Sequence, residues 1–197
     1  ILDAAYVLLL EEGPEAISSR AVAERLGMAH MSLYTYFKNQ EEILNALRDR
    51  VMAKWTAVQQ ALAQDAQTED LAGLVKDQLD LCIRLARENP NLYRLAWVMQ
   101  EDLGEKPELN RERMFSFIGQ VAVLLQKGME RAVFEKRDPF LAAAVVLGMV
   151  NMPYIFFYTG KMIDPVACDR MAEEMLVAAM MYLRKQPDSP GDNTAKR

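Results

Sequence analysis

Apolar residues recur along this chain at three- and four-residue intervals, with few alternating runs and few clusters of Val, Ile and Thr. That period is helical and predicts an all-α protein. Over residues 1–12, Leu2, Ala5, Tyr6 and Leu9 share one face, and Gly13-Pro14 stops the helix. Ser18 is suited to cap a second helix over 19–26, Gly27 to end it in the left-handed conformation, and a third helix follows over about 30–37. Asn39 caps a fourth, with Glu41 and Glu42 in its positive first turn. Its stripe of Leu44, Leu47, Val51, Trp55, Val58 and Leu62 has no flexible interruption, so motion at one end is expected to be felt at the other. A polar loop over 64–70 precedes helices over 71–87 and 91–103, separated by Asn89-Pro90. After a break at 104–107, long helices over 108–134, 139–158 and 166–185 complete the order, and residues 186–197 read as a disordered tail.

The stretch 17–40, ISSRAVAERLGMAHMSLYTYFKNQ, packs two short helices around a glycine turn. Val22, Leu26, Met28 and Leu33 are spaced to face one small core, and the small Ala23 stands where the two backbones approach. This is the pattern of a helix-turn-helix, which lays its second helix in the DNA major groove. Met31, Ser32 and Thr35 are short or flexible side chains suited to base edges and thymine methyls. His30 can donate to a phosphate or a base, and Lys38 offers charge to a phosphate. Arg20 is the candidate for a bidentate guanine contact, and Ser18 and Ser19 for the sugar-phosphate backbone. Tyr34, Tyr36 and Phe37 are open to two readings, a groove-wall contact or a small aromatic core. Phe37 is assigned to the core and Tyr36 to a phosphate, while Tyr34 stands between the two.

At LYTYFKNQEEIL, residues 33–44, the run resembles the N-terminal domain of the TetR family of transcriptional regulators. There a helix-turn-helix ends in an aromatic segment of this kind, followed by an acidic helix start. The likeness covers roughly residues 1–47. It supports the roles above position by position, but His30 and Met31 depart from the commoner Lys-Gly, so the operator sequence does not follow. The resemblance implies a three-helix DNA-binding domain over 1–47, joined by a long helix to a helical effector-binding and dimerisation domain over 48–185.

In such proteins the last two helices usually form the dimer. Here the helix over 139–158 has no charge in twenty residues, the length of a membrane span. It contains Gly148, Asn151 and Pro153, lies among amphipathic helices and has no companion span, so it reads as a helix buried on every side. The last helix adds two adjacent apolar stripes. A partner copy would cover both helices, giving an interface of Leu141, Val145, Gly148, Met171, Met175, Leu176, Ala179 and Tyr182. A monomer with a thick core is the alternative.

The chain has 197 residues, 51% apolar, enough for one small and one larger domain. Its net charge is −5, against nucleic-acid binding as a whole, but between Ser18 and Lys38 three basic residues face one acid, and the local face is what meets phosphate. Cys82 and Cys168 sit in apolar patterns as buried thiols of a reducing compartment, and no signal peptide is visible, which suits the cytoplasm. The one histidine, His30, lies in the recognition segment. Nucleophile, phosphate-loop, dinucleotide and metal-ligand spacings are missing, so no catalytic residue, metal site or cofactor is expected.

Family architecture would place Trp97, Met99, Phe115, Met149, Met152, Tyr154 and Phe157 around one cavity, although each taken singly suits a core. Aromatic and methionine side chains give an adaptable apolar wall, with Asn151, the Tyr154 hydroxyl and the Trp97 indole as polar fixtures. The expectation is a homodimeric repressor that binds a double-stranded DNA operator and is released by a small hydrophobic effector. A helical enzyme and a structural dimerisation module are the rival classes.

Overall fold

The computed structural model describes residues 1–64, 70–99 and 107–185. The expected tail over 186–197, most of the loop over 64–70 and the end of the helix over 91–103 lie outside the described residues. The elements are α1 (Leu2–Glu12), a 3₁₀ turn (Pro14–Ala16), α2 (Ser19–Arg25), α3 (His30–Leu33), α4 (Gln40–Gln64) and α5 (Leu71–Glu88). Then come α6 (Pro90–Tyr93), a π-helical turn (Arg94–Val98), α7 (Pro107–Glu130), α8 (Pro139–Tyr158) and α9 (Pro165–Leu183). The fold is all-α, and among the described residues the sole β-type pairing is an isolated bridge between Phe134 and Arg184.

Local chemistry sets most of the helix starts. Side-chain oxygens of Ser18, Asp70, Asp138 and Asp164 accept from backbone N–H groups of the first turns of α2, α5, α8 and α9. Proline occupies the first turn of α6, α8 and α9, where its missing N–H costs nothing.

Side chains then gather into two cores. The smaller holds Ala5, Leu9, Ile17, Val22, Leu33 and Leu47 from α1 to α4, together with Leu92, Leu95 and Ala96 from α6 and the π turn. The larger is built on α5, α7, α8 and α9, and contains Trp55 of α4. The α6–π segment belongs to both. Tyr93 is fully buried in the larger core, while Trp97 touches each. The Tyr93 hydroxyl donates to Asn151 Oδ1 at 3.1 Å, and Asn151 Nδ2 donates to the Leu147 carbonyl at 2.9 Å. On the other side, Asn91 Nδ2 donates to the Leu10 carbonyl at 3.3 Å and Arg94 pairs with Glu15. Both cores therefore grip one short, irregular segment.

Several expected boundaries shift. α3 is a single turn ending at Leu33, because the chain tightens through Tyr34–Tyr36. The sixth helix leaves the α register at Arg94. α7 stops at Glu130, where Ala132 takes φ 56 and the chain reverses, bringing the Phe134 ring so close to Gly128 that a Cβ there would meet it at 2.2 Å. α9 starts at Pro165 and ends at Leu183, two residues short of the expected end.

α8 has a mean hydropathy of 2.0 over its most apolar window, of which 44% is buried within the chain. Its inner face, with Ala143, Val146 and Val150, meets α5, α7 and α9, and its outer face is open. The expected burial on every side is thus only half supplied by this chain.

Candidate functional site

The α2–turn–α3 unit is held by its own backbone. Gly27 takes φ +65; its N–H donates to the Glu24 carbonyl at 3.0 Å, and the Met28 N–H reaches back to the Ala23 carbonyl at 3.0 Å. These two bonds close a Schellman motif, which needs the left-handed residue that glycine supplies cheaply. Val22 and Leu33 are fully buried beneath the turn. After Leu33, the N–H groups of Tyr36 and Phe37 both donate to its carbonyl, at 2.9 and 3.0 Å. This tightened turn leaves Tyr34 and Tyr36 exposed and Phe37 half-buried in the smaller core. Asn39 Oδ1 then accepts from the Glu42 N–H at 2.9 Å, and the Glu42 carboxylate accepts from the Lys38 N–H at 2.7 Å, an exchange close to a capping box.

One surface therefore presents Arg20, His30, Met31, Ser32, Tyr34, Thr35, Tyr36 and Lys38, all exposed. Met31 is 74% and Tyr36 65% exposed, unusual for such large side chains. The His30 and Tyr34 rings meet edge-on with centroids 5.1 Å apart. Ser18 is half-buried, its oxygen accepting from the Ala21 N–H at 3.1 Å, which leaves its O–H free to donate. Ser19 is turned inward, 7% exposed, and is poorly placed for the backbone contact expected of it. Leu26, expected in the small core, is 40% exposed, because it is the C-cap residue from which the chain turns away.

Four acidic residues of this half are held in ion pairs. Asp3 pairs with Arg50 at 2.6 Å, and that guanidinium holds its carboxyl below the usual range. Glu11 pairs with Arg25 at 2.7 Å, Glu15 with Arg94 and Asp49 with Arg113. Arg20 and Lys38 carry no ion pair among the described residues. Two exposed cations thus stand by the helix-turn-helix in a chain that is acidic as a whole.

The seven residues expected around one cavity are dispersed. Trp97 packs edge-on against Phe117 at 4.6 Å. Phe115 is exposed, paired with Phe140 at 5.4 Å, so α7 turns Phe117 inward and Phe115 outward. Met99 is half-buried, and Met149 packs against the larger core. Met152, half-buried, lies in line with Val145 and Gly148 on the open side of α8. Tyr154 and Phe157 line a cavity of about 220 Å³ with Arg87, Tyr158 and Asp169. There Arg87 donates to Asp169 at 2.8 Å and Glu173 at 2.9 Å, and the Tyr154 hydroxyl donates to Asp169 at 2.9 Å. The Glu173 contact raises the affinity of Arg87 for its proton, and burial raises that of Tyr154.

Polar groups absent from the expectation stand between α4 and α7. Arg48 is 1% exposed, and burial lowers its pKa to about 10. The Trp55 indole N–H is buried without a hydrogen-bond partner among the described residues, as is Gln120 Oε1, while Gln120 Nε2 reaches Thr56 Oγ1 at 3.4 Å. A signal for Arg48 was present: it lies on the Leu44–Val51–Trp55 stripe, a charge placed where the helical period asks for an apolar residue.

The residues expected at a dimer interface divide. Leu141, Val145 and Gly148 are exposed on α8, and a Cβ on Gly148 would meet nothing within 4 Å. Met171, Met175 and Tyr182 are half-buried along one flank of α9. Leu176 and Ala179 instead face the chain's own core, so α9 turns inward the stripe that carries them and Cys168. Burial raises the Cys82 thiol to about 12 and the Cys168 thiol to about 11, which keeps both protonated.

A helix-turn-helix with an exposed aromatic and basic face, mounted by a continuous helix on a larger helical core, is an arrangement suited to DNA binding. Residues 1–47 match the family model described as bacterial regulatory proteins, tetR family. Over this first quarter of the chain the residues are therefore similar to the DNA-binding domain of tetR-family regulators. It is 37% identical over 54 residues to the tetracycline repressor protein class A from transposon 1721 of Escherichia coli, covering 27% of this chain and 25% of that one. The chain thus matches about a quarter of that relative's length. The whole fold is similar to solved structures. A transcriptional regulator from Cytophaga hutchinsonii superposes with TM-score 0.72 at 18% identity, covering 93% of this chain and 96% of that one. The fatty acid degradation regulator FadR from Bacillus halodurans gives 0.69 at 18% identity, covering 91% and 92%.

Proposed function

We propose that this protein is a homodimeric cytoplasmic repressor that leaves its operator when a small, largely hydrophobic effector binds the regulatory core. The observation that carries the reading is the exposed face of Arg20, Met31, Tyr34, Tyr36 and Lys38 over a fully buried Leu33, built on a helix that continues into the second core. Two copies joined along the open side of α8 would present two such faces to one duplex. Met31, Ser32 and Thr35 read base edges, Arg20 pairs with a guanine, and Ser18, Tyr36 and Lys38 hold phosphates. Residues 1–47 form the DNA-binding domain and 48–185 the sensory and dimerisation domain.

The effector lodges between α4, α7 and α8. The unpartnered Trp55 N–H and Gln120 oxygen there are candidates for its one to three hydrogen bonds, and Trp97–Phe117 is an apolar wall. A solved neighbour of the same fold is a regulator of fatty acid degradation, which supports an apolar effector class. Filling this site shifts α4 and the α6–π segment, both anchored in the smaller core, and changes the separation of the two recognition turns. This is allosteric because DNA and effector favour different states of the dimer.

Fluorescence anisotropy on a duplex recovered from the gene's own genome tests the reading, with panels of hydrophobic, sugar, nucleotide and metal ligands. Release by one or more apolar compounds, the dimer remaining intact, is expected. Release by a sugar or metal ion, with no response to any apolar compound, would overturn the effector class.

A further inference from the structure

A groove of about 480 Å³ runs between the first turn of α5 and the last two turns of α9. Leu176, Val177, Met180 and Met181 form its α9 wall, and Ala72 and Gly73 its α5 wall. Val177 is 56% and Met181 69% exposed, so the apolar surface is open to solvent. The flank of α9 that carries Met171, Met175 and Tyr182 points elsewhere around the helix, so pairing of two copies along that flank leaves the groove free. α5 is 18 residues long and separates the groove from α6 by about 27 Å. The groove is therefore distant from Trp97, and neither Trp97 nor Trp55 lines it.

Charge says what fits. Lys76 of α5 and Arg184 at the end of α9 both line the groove, and neither is paired with a carboxylate among the described residues. The acid on the rim, Asp70, is turned to its own helix, accepting the Gly73 N–H at 2.8 Å. Two unpaired cations thus border a flexible methionine-rich wall, within the volume range of small-molecule sites. We propose that this groove is a second ligand site, which binds a single-chain amphiphile with an anionic head. The chain lies along Val177, Met180 and Met181, and a carboxylate head is held by Arg184 in a forked pair and by Lys76 as a point charge. A neutral head gains nothing from either cation, and a cationic head is repelled by both.

A local reporter keeps this independent of operator release. In full-length Met181→Cys, an environment-sensitive dye labels the groove selectively, since Cys82 and Cys168 are buried. Dodecanoate, dodecanol and dodecyltrimethylammonium are titrated below their micelle concentrations. Dodecanoate should shift the emission saturably, at a half-point at least tenfold below that of dodecanol, with dodecyltrimethylammonium weaker still. Adding Lys76→Gln and Arg184→Gln should bring dodecanoate to the level of dodecanol. No shift with dodecanoate, equal half-points for the three amphiphiles, or a dodecanoate half-point unchanged by the double substitution would each overturn the proposal.

Discussion

Two surfaces of this protein leave large apolar side chains in water, and they differ in kind. Around α3 the exposed side chains are Met31, Tyr34 and Tyr36, interleaved with Ser32, Thr35 and Lys38. Along the outer side of α8 they are Leu141, Val145 and Phe156, with Gly148 among them and no charge nearby on the helix. The first set carries hydroxyls and a cation that a hydrated, anionic polymer can satisfy. The second carries nothing for water or phosphate, and its stability in solution asks for a dry cover of matching shape. The proposed function accordingly assigns the first kind of exposure to DNA and the second to another copy of the chain.

The largest expected effect breaks the second surface. Val145→Glu with Gly148→Glu places two carboxylates in the seam, where an unpaired buried charge costs on the order of 3–5 kcal/mol. Both positions are exposed within one chain, so helical content should hold while sedimentation shows monomers. Operator affinity should then drop by roughly 10²-fold or more, because two linked half-site contacts become one. A dimer that persists would move the interface off α8.

Next comes the first surface. Arg20→Ala should cost about 1–3 kcal/mol at one base pair and relax specificity there. Tyr36→Phe should cost about 0.5–1.5 kcal/mol alike on every sequence. Binding to single-base operator variants separates the two patterns, and an Arg20→Ala loss that is uniform across variants would remove its base-reading role.

A change between the surfaces should act on stability first. Asn151→Ala leaves the buried Tyr93 hydroxyl without its side-chain acceptor, at about 1–3 kcal/mol by urea unfolding. The smaller of the two stability effects is Gly27→Ala, about 1–2 kcal/mol for a Cβ at φ +65. Denaturant midpoints order the pair, and a Gly27→Ala protein as stable as its parent would mean that the turn tolerates another shape.

The sequence was legible where structure is local. Ser18, Gly27 and Asn39 act on backbone groups three or four residues away, so α2, its turn and the start of α4 follow from residue type. It was less legible where the outcome depends on distant packing. α3 stops after one turn, and beyond the tight Tyr34–Tyr36 turn Phe37 docks in a core built partly from α6. Phe115 and Phe117 sit two positions apart on one helix, and only the neighbours of α7 decide which turns in. α9 is apolar on adjacent stripes, so periodicity alone left Leu176 and Ala179 on the wrong side. Arg48 stands on an otherwise apolar stripe of α4, and its burial depends on neighbours that the helical period does not reveal.

Selection from a pool of random duplexes, read at two salt concentrations, asks whether this protein reads DNA as a two-fold dimer. The expected result is enrichment of inverted repeats with half-sites separated by about one helical turn, roughly 34–36 Å, or a modest variation on it. Binding should weaken as salt rises, through the phosphate contacts. Enrichment of no sequence, or of one unrepeated half-site bound by a monomer, would contradict it.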